Sequence, residues 1–196
     1  MHHIMRFLIT IFLLISLQIC NAQNDFYSQL VSAALDLTKQ NVKYDPKYFS
    51  IAYPNGDLPS DKGVCTDVII RAYRKLGIDL QKEVHEDMKA NFSVYPKNWG
   101  LTHTDTNIDH RRVANLMTFF SRKGITLPIT NNPEDYHPGD IVCWDLGSGI
   151  EHIGIVVSEK ANVFDRYKVV HNIGAGQVLE DCLFQFKIIG HYRYNN

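Results

Sequence analysis

The amino-acid sequence predicts one α+β domain, with helices in its first half and an antiparallel sheet in its second half. Apolar residues recur at helical spacing up to residue 124. From residue 138 onward, short apolar runs are separated by turns rich in Gly, Pro, Asn and Asp. No internal repeat, low-complexity tract or Pro/Ser-rich linker divides the chain. We therefore treat residues 23–196 as one domain.

The first 22 residues have the pattern of a secretory signal peptide. Arg6 supplies a positive charge, and residues 7–17 form an apolar stretch that is shorter than the ~20 residues a membrane span needs. Cys20 and Ala22 place small residues at the positions required for cleavage after Ala22. We expect the chain to be exported to the periplasm or secreted. The alternative, a lipoprotein acylated at Cys20, is disfavoured by the bulky Ile19 that precedes it.

Four helices are predicted after the signal peptide. Their expected bounds are Asn24 or Asp25 to Leu37, Cys65 to Gly77, Gln81 to Phe92, and Asn107 or Asp109 to Gly124. Asn and Asp are favoured helix N-caps, and Gly commonly follows the last helical residue. Residues 44–61 are rich in Pro, Asn, Gly and Asp and are predicted to form a loop.

Four strands are predicted in the second half, at residues 141–144, 152–157, 167–173 and 186–194. Pro138-Gly139-Asp140 and Gly147-Ser148-Gly149 are the turns that introduce the first two strands. Short connections between consecutive strands favour an antiparallel meander, with the helices packed on one face.

Charge and composition exclude several classes of partner. The chain has 20 Lys+Arg and 21 Asp+Glu, so its net charge is −1, and it contains no basic run. Nucleic acid and anionic membranes are therefore not expected as main partners, and we expect no stable membrane span in the mature chain. An apolar content of 45% with 21% charged residues indicates a globular domain rather than a disordered one.

Removal of residues 1–22 leaves three cysteines, Cys65, Cys143 and Cys182. An odd number in an oxidising compartment means that at least one thiol stays free, pairs between chains or takes part in chemistry. Cys143 lies in a predicted strand and is interpreted as a core residue, and Cys182 is given no role. A disulfide between Cys143 and Cys182 stays open, and it would leave Cys65 as the free thiol.

Cys65 is the candidate nucleophile. It is predicted in the first turn of a helix, where backbone N–H groups and the helix dipole lower a thiol pKa. His152 stands at the start of a later strand, and His171 and Asn172 stand on the next. A thiol facing imidazoles on adjacent strands suits cysteine acyl transfer, in which a base takes the thiol proton and a third group orients the base. His171, Asn172 and Asp145 remain open as that third group.

These motifs resemble NlpC-type cell-wall peptidases, which are papain-like cysteine hydrolases of bacterial peptidoglycan. The pattern is a helix-borne Cys65, Pro138-Gly139-Asp140 opening a strand, and His152-Ile153-Gly154-Ile155-Val156-Val157. A closer similarity, over nearly all of the mature chain, is to the exported bacterial family called domain of unknown function 1287. Its motifs here are Gly63-Val64-Cys65-Thr66-Asp67-Val68, Val84-His85-Glu86-Asp87-Met88, Asn107-Ile108-Asp109-His110-Arg111-Arg112-Val113, Pro138-Gly139-Asp140-Ile141-Val142 and His171-Asn172-Ile173-Gly174.

The resemblance implies a papain-like domain that hydrolyses an amide bond of peptidoglycan, with no cofactor and no metal. The bond lies either within the stem peptide or between the muramoyl group and alanine. Carried over by motif, Cys65 is the nucleophile, His152 the general base and His171 the residue that orients the base. Tyr53, in Tyr53-Pro54-Asn55-Gly56, stands where the family has a Tyr before the Cys.

Asp67 departs from the small residues that follow the nucleophile in the family. Its charge is expected to raise the pKa of Cys65 unless Arg111 or Arg112 neutralises it. The polar segment Asp109-His110-Arg111-Arg112 is interpreted either as a clamp for a substrate carboxylate or as a structural salt-bridge network. The expected substrate-binding or supporting residues are Tyr53, Asp67, Asp109, His110, Arg111 and Asn172.

Two other functions stay open. If the thiol is inert, the same fold is a non-catalytic cell-wall binding module, which Asp67 beside Cys65 makes credible. A metal-dependent hydrolase using the polar residues His85, Glu86, Asp87 and His110 is the other alternative, although these residues lack an HExxH-like spacing.

Overall fold

The computed structural model describes residues 25–195. The predicted signal peptide and Asn24 therefore lie outside the described residues. The helices are α1 (residues 25–37), α2 (Cys65–Lys75), α3 (Leu80–Ala90) and α4 (Val113–Lys123). The strands are β1 (Lys43–Tyr44), β2 (Lys62–Gly63), β3 (Ile125–Thr126), β4 (Ile141–Asp145), β5 (Glu151–Lys160), β6 (Tyr167–His171), β7 (Val178–Glu180) and β8 (Lys187–Arg193). The prediction of an α+β class, with helices packed on an antiparallel sheet, is confirmed.

Six strands form the main sheet, in the order β3-β8-β4-β5-β6-β7, and every neighbouring pair is antiparallel. β1 and β2 form a separate parallel pair. In the main sheet Trp144 of β4 lies opposite His152 of β5, and Gly154 of β5 lies opposite His171 of β6. This register fixes the neighbours of both candidate histidines.

Alternation along the strands divides the core into two layers, because successive side chains of a strand point to opposite faces. On the first face, Ile153, Ile155 and Val157 of β5 pack with the helices and with Cys65. On the second face, Val156 packs with the β4 side chain of Trp144 in a smaller cluster. Each fully buried aliphatic side chain favours folding by about 1.5–3 kcal/mol, so both faces of the sheet are held in place.

The helix that carries Cys65 begins with a side-chain cap. The carboxylate of Asp67 accepts a hydrogen bond of 2.7 Å from the backbone N–H of Val64, which is otherwise an unpaired donor at the helix start. The helix stops before Gly77, which has a φ of +82°, a conformation that glycine adopts without steric cost. The polar segment predicted to begin the fourth helix forms a 3-10 turn, Asp109–Arg111, and α4 starts after it.

The structure tests two expectations made from the sequence, one about a disulfide bond and one about a membrane span. Cys65, Cys143 and Cys182 are free thiols, and Cys143 and Cys182 pack on opposite faces of the sheet. The disulfide considered between Cys143 and Cys182 is therefore absent. Among residues 25–195, no helix combines the length and the apolar character that a membrane span requires.

Candidate active site

Cys65 is the first residue of α2 and is 6% exposed. Backbone N–H groups near the sulfur, including those of Ile153 in β5 and of Thr66, favour the thiolate form. The helix start and the central strand therefore meet at this thiol. The predicted placement of Cys65 at a helix N-terminus agrees with the structure.

The pKa of Cys65 differs from the lowered value expected for a thiol at a helix start. The pKa of the Cys65 thiol is raised to about 12, mainly by burial and to a smaller extent by the charge of Asp67, while the surrounding N–H groups oppose the rise. Helix-start donors favour a thiolate, but here the loss of hydration is the larger effect. The resting protein therefore holds Cys65 as a neutral thiol.

We expect alkylation of Cys65 to be slow at neutral pH and to rise about tenfold per pH unit between about pH 7 and pH 9, without reaching a plateau. The thiolate is the reactive form, and its fraction grows with pH until the pKa is reached. Iodoacetamide labelling followed by peptide mass spectrometry measures the rate at each cysteine, and the Cys65→Ala variant confirms the assignment. A plateau in Cys65 labelling below pH 8 would contradict a neutral resting thiol.

The candidate histidines lie together on the other side of the sheet. His152 Nε2 is 2.8 Å from His171 Nδ1, and the His152 ring lies against the indole of Trp144 with 5.8 Å between ring centroids. His152 shares its strand face with Val156 rather than with Ile153. The structure thus brings His152 and His171 into contact on the face opposite the one on which Cys65 packs. The backbone of the next residue, Ile153, is the part of this strand that contacts the sulfur.

Burial determines the charge state of this pair. Loss of hydration lowers the pKa of His152 to about 3, and the neighbouring His171 contributes in the same direction. The pKa of His171 is also lowered by burial, and Glu180, whose carboxylate lies 3.0 Å from Nε2, opposes the shift. Both imidazoles are therefore neutral near pH 7.

A groove of about 280 Å³ opens beside the thiol. It is lined by Cys65 together with Tyr44, Trp99, Arg112 and Glu151, among others. The guanidinium of Arg112 stacks on the Trp99 ring at 3.9 Å. Burial raises the pKa of Glu151, and the backbone N–H of Ala114 opposes the rise. The groove therefore presents a thiol, a cation and a carboxyl group to a ligand.

Arg111 is the partner of Asp67. Its Nε and Nη2 lie 3.1 Å and 3.2 Å from the two carboxylate oxygens, and both side chains are buried. A further Arg111 nitrogen donates to the Lys47 carbonyl. Of the two interpretations of this segment, Arg111 fits the salt-bridge network, and the neighbouring Arg112 is the one whose guanidinium stacks on an aromatic ring in the groove.

Tyr53 and Asp109 belong to a different cluster. His85 Nδ1 lies 3.0 Å from Asp109, and the Tyr53 ring packs edge-on against His85 with 5.2 Å between centroids. His110, on the same 3-10 turn, is buried, and burial lowers its pKa to about 3. None of these side chains is among the residues that line the Cys65 groove within the described part of the chain.

The polar residues considered for a metal-dependent hydrolase do not converge. The carboxylate of Asp87 is bound by Tyr95 and Arg122. Within residues 25–195, His85 and His110 are not part of any group of three side chains close enough to share a metal ion. The structure therefore does not support a metal-dependent hydrolase built on these residues.

Asn172, His171 and Asp145, which were considered for orienting the base, lie in different parts of the structure. Asn172 is buried and donates to the carbonyl of Gly63, two residues before Cys65, at 3.3 Å. His171 lies on the other face of the sheet, and Asp145 accepts from the Gly147 N–H in a turn. Asn172 is thus the one of the three that contacts the segment leading into α2.

Sequence reasoning missed several residues. Glu151 lines the thiol groove and is the direct neighbour of His152, which was singled out instead. Cys182, which was given no role, lies 3.6 Å from His171 Nε2. Strand alternation was the signal available for Glu151, since it places Glu151 rather than His152 on the face of Ile153.

The family model described as Domain of unknown function (DUF1287) matches residues 31–194. "Uncharacterized protein YijF" of Escherichia coli (strain K12) is 54% identical over 151 residues, which cover 77% of this chain and 73% of that protein. "Probable endopeptidase p60" of Listeria seeligeri is 37% identical over 75 residues, 31% of this chain and 14% of that protein.

Two crystal structures of an N-acetylmuramoyl-L-alanine amidase from Bacteroides uniformis ATCC 8492 share the fold. Each superposes with a TM-score of 0.54 and 14% sequence identity, and the match covers 87% of this chain and 99% of the amidase. At this level of identity the likeness concerns the fold alone.

Proposed function

This chain belongs to the family described as Domain of unknown function (DUF1287), and we propose that it is an exported cysteine hydrolase that cleaves an amide bond of peptidoglycan. The observation that carries the proposal is Cys65 at the start of α2, near backbone N–H groups that favour its thiolate and beside an open groove. The shared fold with the Bacteroides uniformis amidase and the partial match to p60 support the choice of substrate. The apolar residues 7–17, which lie outside the described residues, support export.

In the proposed reaction the Cys65 sulfur attacks the amide carbonyl carbon, and the thiol proton passes to a base. The oxygen becomes an oxyanion, and N–H groups at the start of α2 donate to it. The C–N bond then breaks, the amine leaves with the proton, and a thioester remains on Cys65. Water attacks the thioester and releases the acid. Because the resting thiol is neutral, substrate binding must accompany its deprotonation.

Two adjacent residues, His152 and Glu151, are the candidates for the base that takes the proton of Cys65. The family resemblance assigns this role to His152, but its side chain lies on the far face of the sheet. Direct transfer from Cys65 to His152 requires the first residues of β5 to slip by one position, which exchanges the faces of His152 and Glu151. Without that slip, Glu151 is the carboxylate in the groove. The variant whose cleavage rate falls further, His152→Gln or Glu151→Gln, identifies the base.

The side chain of Arg112 is suited to bind a peptide ligand that carries a free carboxylate. Its Nε is buried and has no hydrogen-bond partner among the described residues, while the plane of its guanidinium is held against Trp99. An unpaired buried donor is unfavourable and gains from an acceptor. A carboxylate is a strong acceptor for arginine, and peptide stems carry carboxylates.

Digestion of purified peptidoglycan by the mature protein tests the proposal. We expect new amino termini and soluble peptide products, because each amide cleavage generates a free amine. Mass spectrometry separates the two substrate bonds, since complete stems indicate cleavage at the muramoyl–alanine amide and shortened stems indicate an endopeptidase. Failure to release products, with enzyme folded by circular dichroism, would overturn the hydrolase.

A non-catalytic cell-wall binding module is the second candidate. The observation that favours it is the raised pKa of Cys65, to which both burial and Asp67 contribute. Sedimentation of the protein with insoluble peptidoglycan, combined with the absence of products in the same tube, is the result expected of this module. Product release excludes it.

A further inference from the structure

Three side chains of the types that can bind a metal ion lie close together on the sheet face opposite Cys65. They are His171 at the end of β6, Glu180 at the end of β7, and Cys182 in the turn that follows. One ligand atom from each lies within 4.8 Å of the other two. The proposed hydrolysis at Cys65 does not use Glu180 or Cys182.

The two distances from His171 to the other members of this cluster are close to those of a tetrahedral zinc site. Zinc bonds of about 2.0 Å to nitrogen and oxygen and about 2.3 Å to sulfur place the nitrogen about 3.3 Å from the oxygen and about 3.5 Å from the sulfur. His171 Nε2 lies 3.0 Å from Glu180 Oε2 and 3.6 Å from Cys182 Sγ. We propose that His171, Glu180 and Cys182 bind one zinc ion, with water as the fourth ligand.

His152 completes the site as a positioning residue. A metal-bound histidine usually donates its second ring N–H to a neighbouring acceptor, which fixes its tautomer and orientation. His171 would bind the ion through Nε2 and donate from Nδ1 to His152 Nε2, 2.8 Å away. The contact between the two histidines thus has a role that does not require Cys65.

Charge, ligand type and access agree with zinc. The Cys182 thiol loses its proton to solvent when the metal binds, and the resulting thiolate and the Glu180 carboxylate together balance the two positive charges of the ion. A thiolate and an imidazole select zinc over magnesium or calcium. His171 and Cys182 are buried, whereas the Glu180 side chain is 45% exposed, so an ion and a water molecule can reach the site from this side. The proposal changes the sequence-based expectation of no metal.

Cobalt titration of the metal-stripped protein tests the site. The full mature chain is treated with a chelator, dialysed, and titrated with Co²⁺, which replaces zinc and gives an absorption band when bound by a thiolate. We expect one equivalent to produce the band and one equivalent of Zn²⁺ to remove it. Cys182→Ser abolishes the band, and His152→Gln lowers the affinity about 10–100-fold.

Matched variants distinguish loss of the proposed zinc site from the loss of another buried thiol or of the fold. Cys65→Ala and Cys143→Ser each remove another buried thiol and are expected to keep the band. Glu180→Gln alters a half-exposed side chain, so the protein should fold while its cobalt affinity falls at least tenfold. No band at one equivalent of Co²⁺, or a band lost in Cys65→Ala and kept in Cys182→Ser, would overturn the site. These binding readouts do not depend on whether peptidoglycan is cleaved.

Discussion

Replacing Cys65 with alanine is expected to reduce the rate of peptidoglycan cleavage by at least about a thousandfold. The alanine variant keeps the groove and the backbone N–H groups but has no sulfur to attack the carbonyl carbon. The thioester cannot form, and the remaining groups act only on water. Initial rates of peptide release from purified peptidoglycan, measured by chromatography with equal amounts of folded protein, give the ratio.

Cys143→Ala is the matched control for this loss. Cys143 lies in β4 on the same face of the sheet as Cys65 and is fully buried in the same core. Its removal also deletes one buried sulfur, so both variants leave a cavity of similar kind. We expect Cys143→Ala to retain the cleavage rate within a few-fold. A Cys65→Ala variant that still cleaves at the wild-type rate would contradict Cys65 as nucleophile and direct attention to Cys182 beside His171.

The sequence predicted the large elements because their patterns are long and regular. The apolar positions of α2 and α4 recur over three turns, and β4, β5 and β6 are apolar runs bounded by turns. β1, β2 and β3 have two residues each, which is too short to show a period. Their pairing is set by contacts with distant segments, and a local pattern does not contain that information.

The positions of the histidines relative to Cys65 are harder to predict for a specific physical reason. An amphipathic strand reveals its faces by alternating apolar and polar residues, but β5 is buried on both sides and reads as a continuous apolar run. The motif order placed His152 and Cys65 in one site, whereas the face of each β5 residue follows from register. Ile153 packs with the helices, so His152, one residue earlier, faces the opposite cluster.

The neighbouring residues Arg111 and Arg112 show the same limit of prediction from sequence. The sequence offered Arg111 or Arg112 as the partner of Asp67 without deciding between them. The 3-10 turn over Asp109–Arg111 directs Arg111 into the protein, where it binds Asp67, and Arg112 becomes the cap residue of α4 at the groove. Turn geometry decides the outcome, and both residues have the same chemistry.

The Arg111–Asp67 pair supports the site as well as the fold. Asp67 uses its carboxylate to cap the Val64 N–H at the start of α2 and to pair with Arg111. A buried carboxylate without its partner keeps its desolvation cost and loses the attraction that offsets it. It also places an unbalanced negative charge near the Cys65 thiol, whose pKa that charge raises.

Substituting Arg111 with methionine is therefore expected to lower the free energy of unfolding by about 3–5 kcal/mol, measured by urea denaturation monitored by circular dichroism. Arg166→Met is the control, because Arg166 pairs with Asp181 at a more exposed position, and its loss should cost no more than about 1 kcal/mol. Equal effects of the two substitutions would contradict a special role for burial. The double variant Arg111→Met with Asp67→Asn removes the uncompensated charge, so part of the lost stability should return, by an amount that measures the cost of the unpaired carboxylate.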